Sequence, residues 1–360
     1  MKLKALKTIA ANGIVAAALL GCAAEPLEDP GAARTPSAVG EAAAGLAGAP
    51  AAHGALGGGG GSGGTAGTLD APSTAIVKLF DAPWGKEPGA FAKDDAPEGA
   101  RPGPLSFAFD GAGRLVVLDT FNGRLQRFDA TGKLDGVLLL PAGLSEDLAI
   151  APSGDLLVLQ TIGGDGAGGE LQQIAHLLPD GTLAGTWAVA PPLPTGLFVE
   201  GDWVLVESKH GAVHRVATLS GGALPPAEQL EPWAVGRPDR AHAGRYWEAR
   251  KDGDAVRLLA NDAYAAVSAK LRLEPPGHLL SLFDLDTDAA GNVYAGLYVD
   301  DRALVAIVAP DGALAGAVAV SPFRWAEARR FVAVRADGAI VEMCASEAGV
   351  SFVEHVWRAR

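Results

Sequence analysis

Asp284, Asp286 and Asp288 occupy alternate positions of one short stretch. Alternate residues of an extended strand share a face, so the three carboxylates point the same way. Asp288 matches Asp110 in an earlier copy of the same pattern and reads as a turn residue. Asp286 is different, because the corresponding positions elsewhere carry Ala108, Ala149 and Ala333, small side chains suited to a tight interface. A carboxylate at such a place is costly unless it is paired or holds a metal. The same alignment puts Glu248, from the stretch 247–253, at the equivalent position of the preceding unit, with Asp284 and Asp147 near the axis that the units would surround. Asp147, Glu248, Asp284 and Asp286 are therefore candidate ligands for one divalent cation, Ca, Mg or Zn. A hydroxide on that ion, or one free carboxylate, would be the base of a hydrolase or lyase. The opposing expectation is neutralisation by Arg250, Arg257 or Arg330.

Other chemistry is sparse. The alternating aspartates also match the start of a calcium-binding loop between helices, but Ala289 stands where that loop needs Gly and Ala295 where it needs Glu. His210 and His214 are four apart around Gly211, in a stretch that reads as a hairpin, so a satisfied surface role is expected. Cys344 lies in the apolar run 339–345 and reads as a buried small hydrophobe. The sequence contains no His-Glu-x-x-His, Gly-x-Ser-x-Gly, phosphate-binding glycine loop or Cys-x-x-Cys. Of the seven tryptophans most are expected in the core, while Trp233 and Trp325, beside Pro and Arg, could form a binding patch. These features favour a binding protein over an enzyme.

The elements that position these residues repeat. Residues 105–119 read as two alternating strands around a glycine turn, and the pattern returns at 147–160, 284–294 and 331–341, with weaker copies turning at Gly201 and Gly253. The turn glycines Gly113, Gly154, Gly201, Gly253, Gly291 and Gly338 step by 41, 47, 52, 38 and 47 residues. Such a period suits a four-stranded blade. Second hairpin signals follow at Gly132, Gly181 and Gly312. A lone four-stranded sheet leaves an apolar face uncovered, so the copies must pack around an axis. The expected fold is all-β, a six-bladed propeller over residues 73–360. Its last unit shows only three strands, and a strand from 75–80 would complete it. Residues 104–129 resemble an NHL repeat, through Asp119-Thr120-Phe121-Asn122-Gly123-Arg124-Leu125 and Phe128. That resemblance implies the six-bladed fold and leaves activity open, since NHL-type propellers include binding scaffolds, lactonases and lyases.

The start of the chain carries an address. Lys2, Lys4 and Lys7 precede a short apolar run ending Leu19-Leu20-Gly21-Cys22, the plan of a secretory signal peptide over residues 1–21. Leu19 to Cys22 resembles a bacterial lipobox, which implies lipidation of Cys22 and anchoring through several acyl chains. The adjoining Ala23 implies the outer membrane if the cell is Gram-negative. Residues 22–72, rich in Ala, Gly and Pro, read as a disordered tether with a reach of roughly 35 to 45 Å. Removing the three lysines takes the formal charge from −13 to −16. So acidic a chain argues against nucleic acid as partner. The expectation is an extracytoplasmic, monomeric lipoprotein whose propeller binds a protein or glycan.

Overall fold

The computed structural model describes residues 75–93, 103–163, 170–209, 211–262, 267–273, 275, 277–321 and 328–357. Cys22, the segments 1–21 and 22–72, His210 and Trp325 lie outside the described residues. The described residues open with β1 (Ala75–Pro83). Blade 1 then comprises β2 (Ser106–Phe109), β3 (Leu115–Asp119), β4 (Arg124–Phe128) and β5 (Leu134–Leu139). Blade 2 comprises β6 (Leu144–Ile150), β7 (Leu156–Ile162), β8 (Leu171–Leu177) and β9 (Leu183–Val189). Blade 3 comprises β10 (Pro194–Glu200), β11 (Trp203–Ser208) and β12 (Ala212–Thr218). Its outer edge is shared by β13 (Gly222–Ala223) and β14 (Ala234–Val235), with the single-turn helix α1 (Pro226–Gln229) between them. Blade 4 comprises β15 (Arg237–Pro238), β16 (Arg245–Asp252), β17 (Ala255–Asp262) and β18 (Val267–Leu273). Blade 5 comprises β19 (Leu279–Thr287), β20 (Val293–Val299), β21 (Arg302–Val308) and β22 (Leu314–Val320). The last blade holds β23 (Val332–Val334), β24 (Ile340–Ala345) and β25 (Gly349–Val356), and β1 supplies its fourth strand.

This is a six-bladed β-propeller of antiparallel blades, closed by its N-terminal strand. Period-two alternation explains the packing. In β3, Leu115 and Val117 face the last blade while Val116 and Leu118 face blade 2, and all four are buried. Among the described residues, five apolar clusters span all six blade interfaces.

Closure is both ladder and plug. β1 pairs with β25 from Ala75 opposite Val356 to Pro83 opposite Gly349. Phe80 stacks on Phe128 of blade 1 at 4.4 Å and on Phe352 of the last blade at 4.9 Å. Phe91 leans on the same two rings, and Phe107 meets Phe352 edge-on at 5.4 Å. Gly132 is held to glycine twice over, by φ +78° and because a Cβ there would fall 2.5 Å from the Phe80 Cβ.

The NHL-like residues turn out to be structural. Asp119, fully buried, accepts from Arg124 Nε at 2.7 Å, Asn122 Nδ2 at 2.8 Å, Gln126 Nε2 at 3.0 Å and the Ala92 N–H at 3.0 Å. Arg124 in turn donates to the carbonyls of Lys86, Glu87 and Ala90. Thr120 ties blade 1 to blade 2 through the Ser145 carbonyl. The motif thus clamps the segment that leads from the closing strand into blade 1.

Blade 4 departs from the sequence reading. Its inner strand β15 has two residues, too short to show alternation, and its first hairpin turn ends at Gly244 with φ +79°. Gly253 turns between the second and third strands. With Gly244 in place, the inner-turn glycines step by 41, 47, 43, 47 and 47 residues, a steadier period than the one read with Gly253.

Candidate functional site

The inner strands of the six blades are β2, β6, β10, β15, β19 and β23, and three of them, β6, β15 and β19, bring charged side chains to the axis. β19 carries a bulge between Leu282 and Asp284, where Phe283 is the extra residue. Its ring lies so close over Gly296 that a Cβ there would come within 2.5 Å of it. Past the bulge Asp284 and Asp286 face the axis together. Arg237 of β15 donates through Nη1 to Asp284 Oδ1 and to the Leu285 carbonyl at 3.0 Å, while its Nη2 lies 3.4 Å from Glu207 Oε2. Arg240, from the following turn, donates to Asp286 at 3.0 Å and to the Val334 carbonyl, and its N–H reaches Thr287 Oγ1 at 2.9 Å.

Blade 2 adds a second carboxylate group. Asp147, 1% exposed, accepts from Ser106 Oγ at 2.6 Å, the Leu148 N–H at 2.9 Å and the Leu197 N–H at 2.9 Å, with Arg330 Nη2 3.6 Å away. The adjacent Glu146 pairs with Arg329 and Thr161. Phe198 completes the lining, its ring facing the Arg237 guanidinium at 5.5 Å and the Arg330 guanidinium at 6.0 Å.

Burial pushes the Asp284 carboxyl above the usual carboxylate range; neighbouring Asp286 adds to the rise, while Arg237 and Arg330 oppose it. Burial would lower Arg237, but Glu207, Asp284 and Asp286 together hold its guanidinium above the ordinary value. One guanidinium serves several carboxylates and cannot neutralise them all, so a raised Asp284 and a raised Arg237 coexist.

Of the four residues singled out in the sequence, Asp284 and Asp286 share a face and Asp147 belongs to the same axial lining. Glu248 does not join them. It lies on β16, the second strand of blade 4, opposite Leu259, and is forked to Arg250. The inner-strand equivalent of Asp286 in blade 4 is Arg237, two residues before the turn aspartate Asp239, as Ala108 is before Asp110. That frame was visible in the sequence and would have found Arg237. Among the described residues no three His, Cys, Asp or Glu side chains converge closely enough to share a metal ion. Of the expected neutralisers Arg250 and Arg330 take up carboxylates of this set, whereas Arg257 pairs with Asp252. Arg237, Arg240 and Arg329 were missed.

The remaining candidates are structural. Asp288 caps its turn through the Ala290 and Asn292 N–H groups and accepts from the Tyr294 hydroxyl at 2.8 Å. His214 is satisfied but buried, not at the surface as expected, between Ser208 Oγ and the Gln229 carbonyl, and burial lowers its pKa. Cys344 is partly exposed, and burial pushes its thiol up to about 12. Trp233 lies on the Arg215 guanidinium at 3.1 Å, with Trp203 also facing that group at 4.0 Å.

No protein-family model matches the chain, and no curated protein matches its sequence. Solved structures similar to the chain share little sequence with it. The PQQ-bound aldose sugar dehydrogenase of Streptomyces coelicolor is 14% identical with a TM-score of 0.46, over 80% of this chain and 99% of that one. BamB of Moraxella catarrhalis is 14% identical with a TM-score of 0.36, over 80% of this chain and 100% of its own. Virginiamycin B lyase of Staphylococcus aureus is 11% identical with a TM-score of 0.39, over 71% of this chain and 95% of its own. At these identities and scores the function must be read from the chain's own residues.

Proposed function

We propose that this protein is an extracytoplasmic lipoprotein, anchored through Cys22, whose propeller is a binding or scaffold module for a protein or glycan partner. The observation that carries this reading is the fate of the axial acids. Asp284, Asp286, Asp147 and Glu146 are each engaged by an arginine reaching from another blade or from the connection before the last blade. Charges spent in this way tie blades together and leave the turns and connections to meet a partner. The expected result is that Cys22→Ser moves the protein from the membrane to the soluble fraction, and that the anchored protein captures an envelope component over a control with scrambled connections. A Cys22→Ser protein that stays in the membrane, or capture no better than the control, would contradict the reading.

A second reading, a metal-dependent hydrolase or lyase, draws on one observation. Asp284 is buried beside Asp286 with its carboxyl raised, the condition of many acid–base groups. It requires Arg237 and Arg240 to leave both carboxylates for a divalent cation.

A further inference from the structure

A cavity of about 250 Å³ opens between blades 1 and 2, far from the axial acids in chemistry and composition. Its walls are the first hairpin turns of both blades and the Pro179 turn, and the side chains that matter are Asp110, Arg114, Arg127, Ser153, Leu156 and Pro179. At ~30 Å³ per water it has room for about eight waters, or for an organic anion of similar heavy-atom count.

Its hydrogen-bonding groups are unbalanced. Asp110 Oδ1 already accepts from the Ala112 and Arg114 N–H groups, and Oδ2 from Arg114 Nε at 2.7 Å. The Pro179 carbonyl accepts from Arg127 Nη2 at 2.9 Å. The donors, by contrast, are underused. Ser153 Oγ accepts from the Asp155 N–H, and its hydroxyl proton has no acceptor among the described residues. Arg114 spends Nε on Asp110 and Nη1 on Asp135, leaving Nη2 without a described acceptor. Among the described residues the Arg127 side chain makes a single hydrogen bond, its Nε is buried without a partner, and no carboxylate pairs with it.

The lining itself holds Arg114 and Arg127 against one carboxylate, Asp110, a formal balance of +1, and Arg114 also pairs with Asp135 outside it, so Arg127 is the cation of the cavity that no described carboxylate meets. A guanidinium can donate five hydrogen bonds, and a buried unmet charged donor is costly. Spare donors, used acceptors and net positive charge together define the complement. We propose that this cavity binds a small oxyanion, a phosphate or short carboxylate, with Arg127 as its charge partner and Ser153 as a second donor. Leu156 and Pro179 give an apolar wall for the body of a short carboxylate.

The test titrates the full chain with inorganic phosphate and, separately, with succinate, at ionic strength held constant with chloride, and follows the melting temperature. At least one anion should give a saturable rise, and whichever does so identifies the source. Arg127→Met, with its fold checked by circular dichroism, should weaken the apparent affinity by about tenfold or more. Should that variant fail to fold, Ser153→Glu, at an exposed turn, places a carboxylate in the cavity and should abolish the response. No saturable rise with either anion, or a rise unchanged in the variant, would overturn the proposal.

Discussion

Arg237 is the residue on which the axial lining depends. It holds Asp284 and Glu207 at once from a two-residue strand. Removing one partner of a buried ionic group leaves the others uncompensated, a loss of about 3–5 kcal/mol. Arg237→Met should therefore destabilise the propeller by about that amount in urea unfolding at neutral pH. Asp284 should respond in the opposite sense. Its carboxyl is raised in the fold above the ordinary value of 3.8, so ionisation there opposes folding. Its favourable share is full in acid and is lost as pH climbs from that ordinary value through the raised one. Asp284→Asn fixes the neutral form, and should cost less than about 1 kcal/mol at neutral pH while flattening that acid-to-neutral decline. A variant pair with these effects reversed would mean that Asp284, not Arg237, anchors the group.

At the scale of elements, the closing strand and the clamp behind it carry the ring. Deleting β1 would expose Phe352 and Phe128, which are buried under Phe80 and Phe91. The clamp gives a finer test. Arg124→Met removes the three carbonyl contacts that hold residues 86–90 and strips the buried Asp119 of its cation. Trypsin should then cleave after Lys86 much faster than in the unaltered protein, and equal rates would show that the clamp does not hold this segment. The closure was legible in the sequence because the last unit plainly lacked a strand and 75–80 was strand-like. The second hairpin turns at Gly132, Gly181 and Gly312 were legible too, since each glycine takes a positive φ in a tight turn. Blade 4 was not legible by alternation, which needs more residues than Arg237–Pro238 provides; only the turn aspartate Asp239 marked its inner strand, and the longer β16 supplied a false one. Glu248 was placed at the axis for that reason alone.

Across the whole molecule the arginines act as ties between blades that do not touch in order. Arg330 reaches from the connection before the last blade to Asp147 and the Leu148 carbonyl of blade 2, and its N–H joins the Leu105 carbonyl. Arg240 reaches from blade 4 past blade 5 to the Val334 carbonyl. A ring cross-braced in this way holds its turns and connections in fixed relation, which suits a recognition surface. The acids themselves could be seen in the sequence, but the cations that meet them come from distant strands, and only the folded ring shows which carboxylate each one reaches. Whether these carboxylates are neutralised by arginine or hold a metal is decided most directly by elemental analysis of the purified chain, prepared without chelator. The account predicts no stoichiometric calcium, magnesium or zinc and an unchanged melting temperature when chelator is added. One divalent ion per chain, lost in Asp286→Ala, would contradict it.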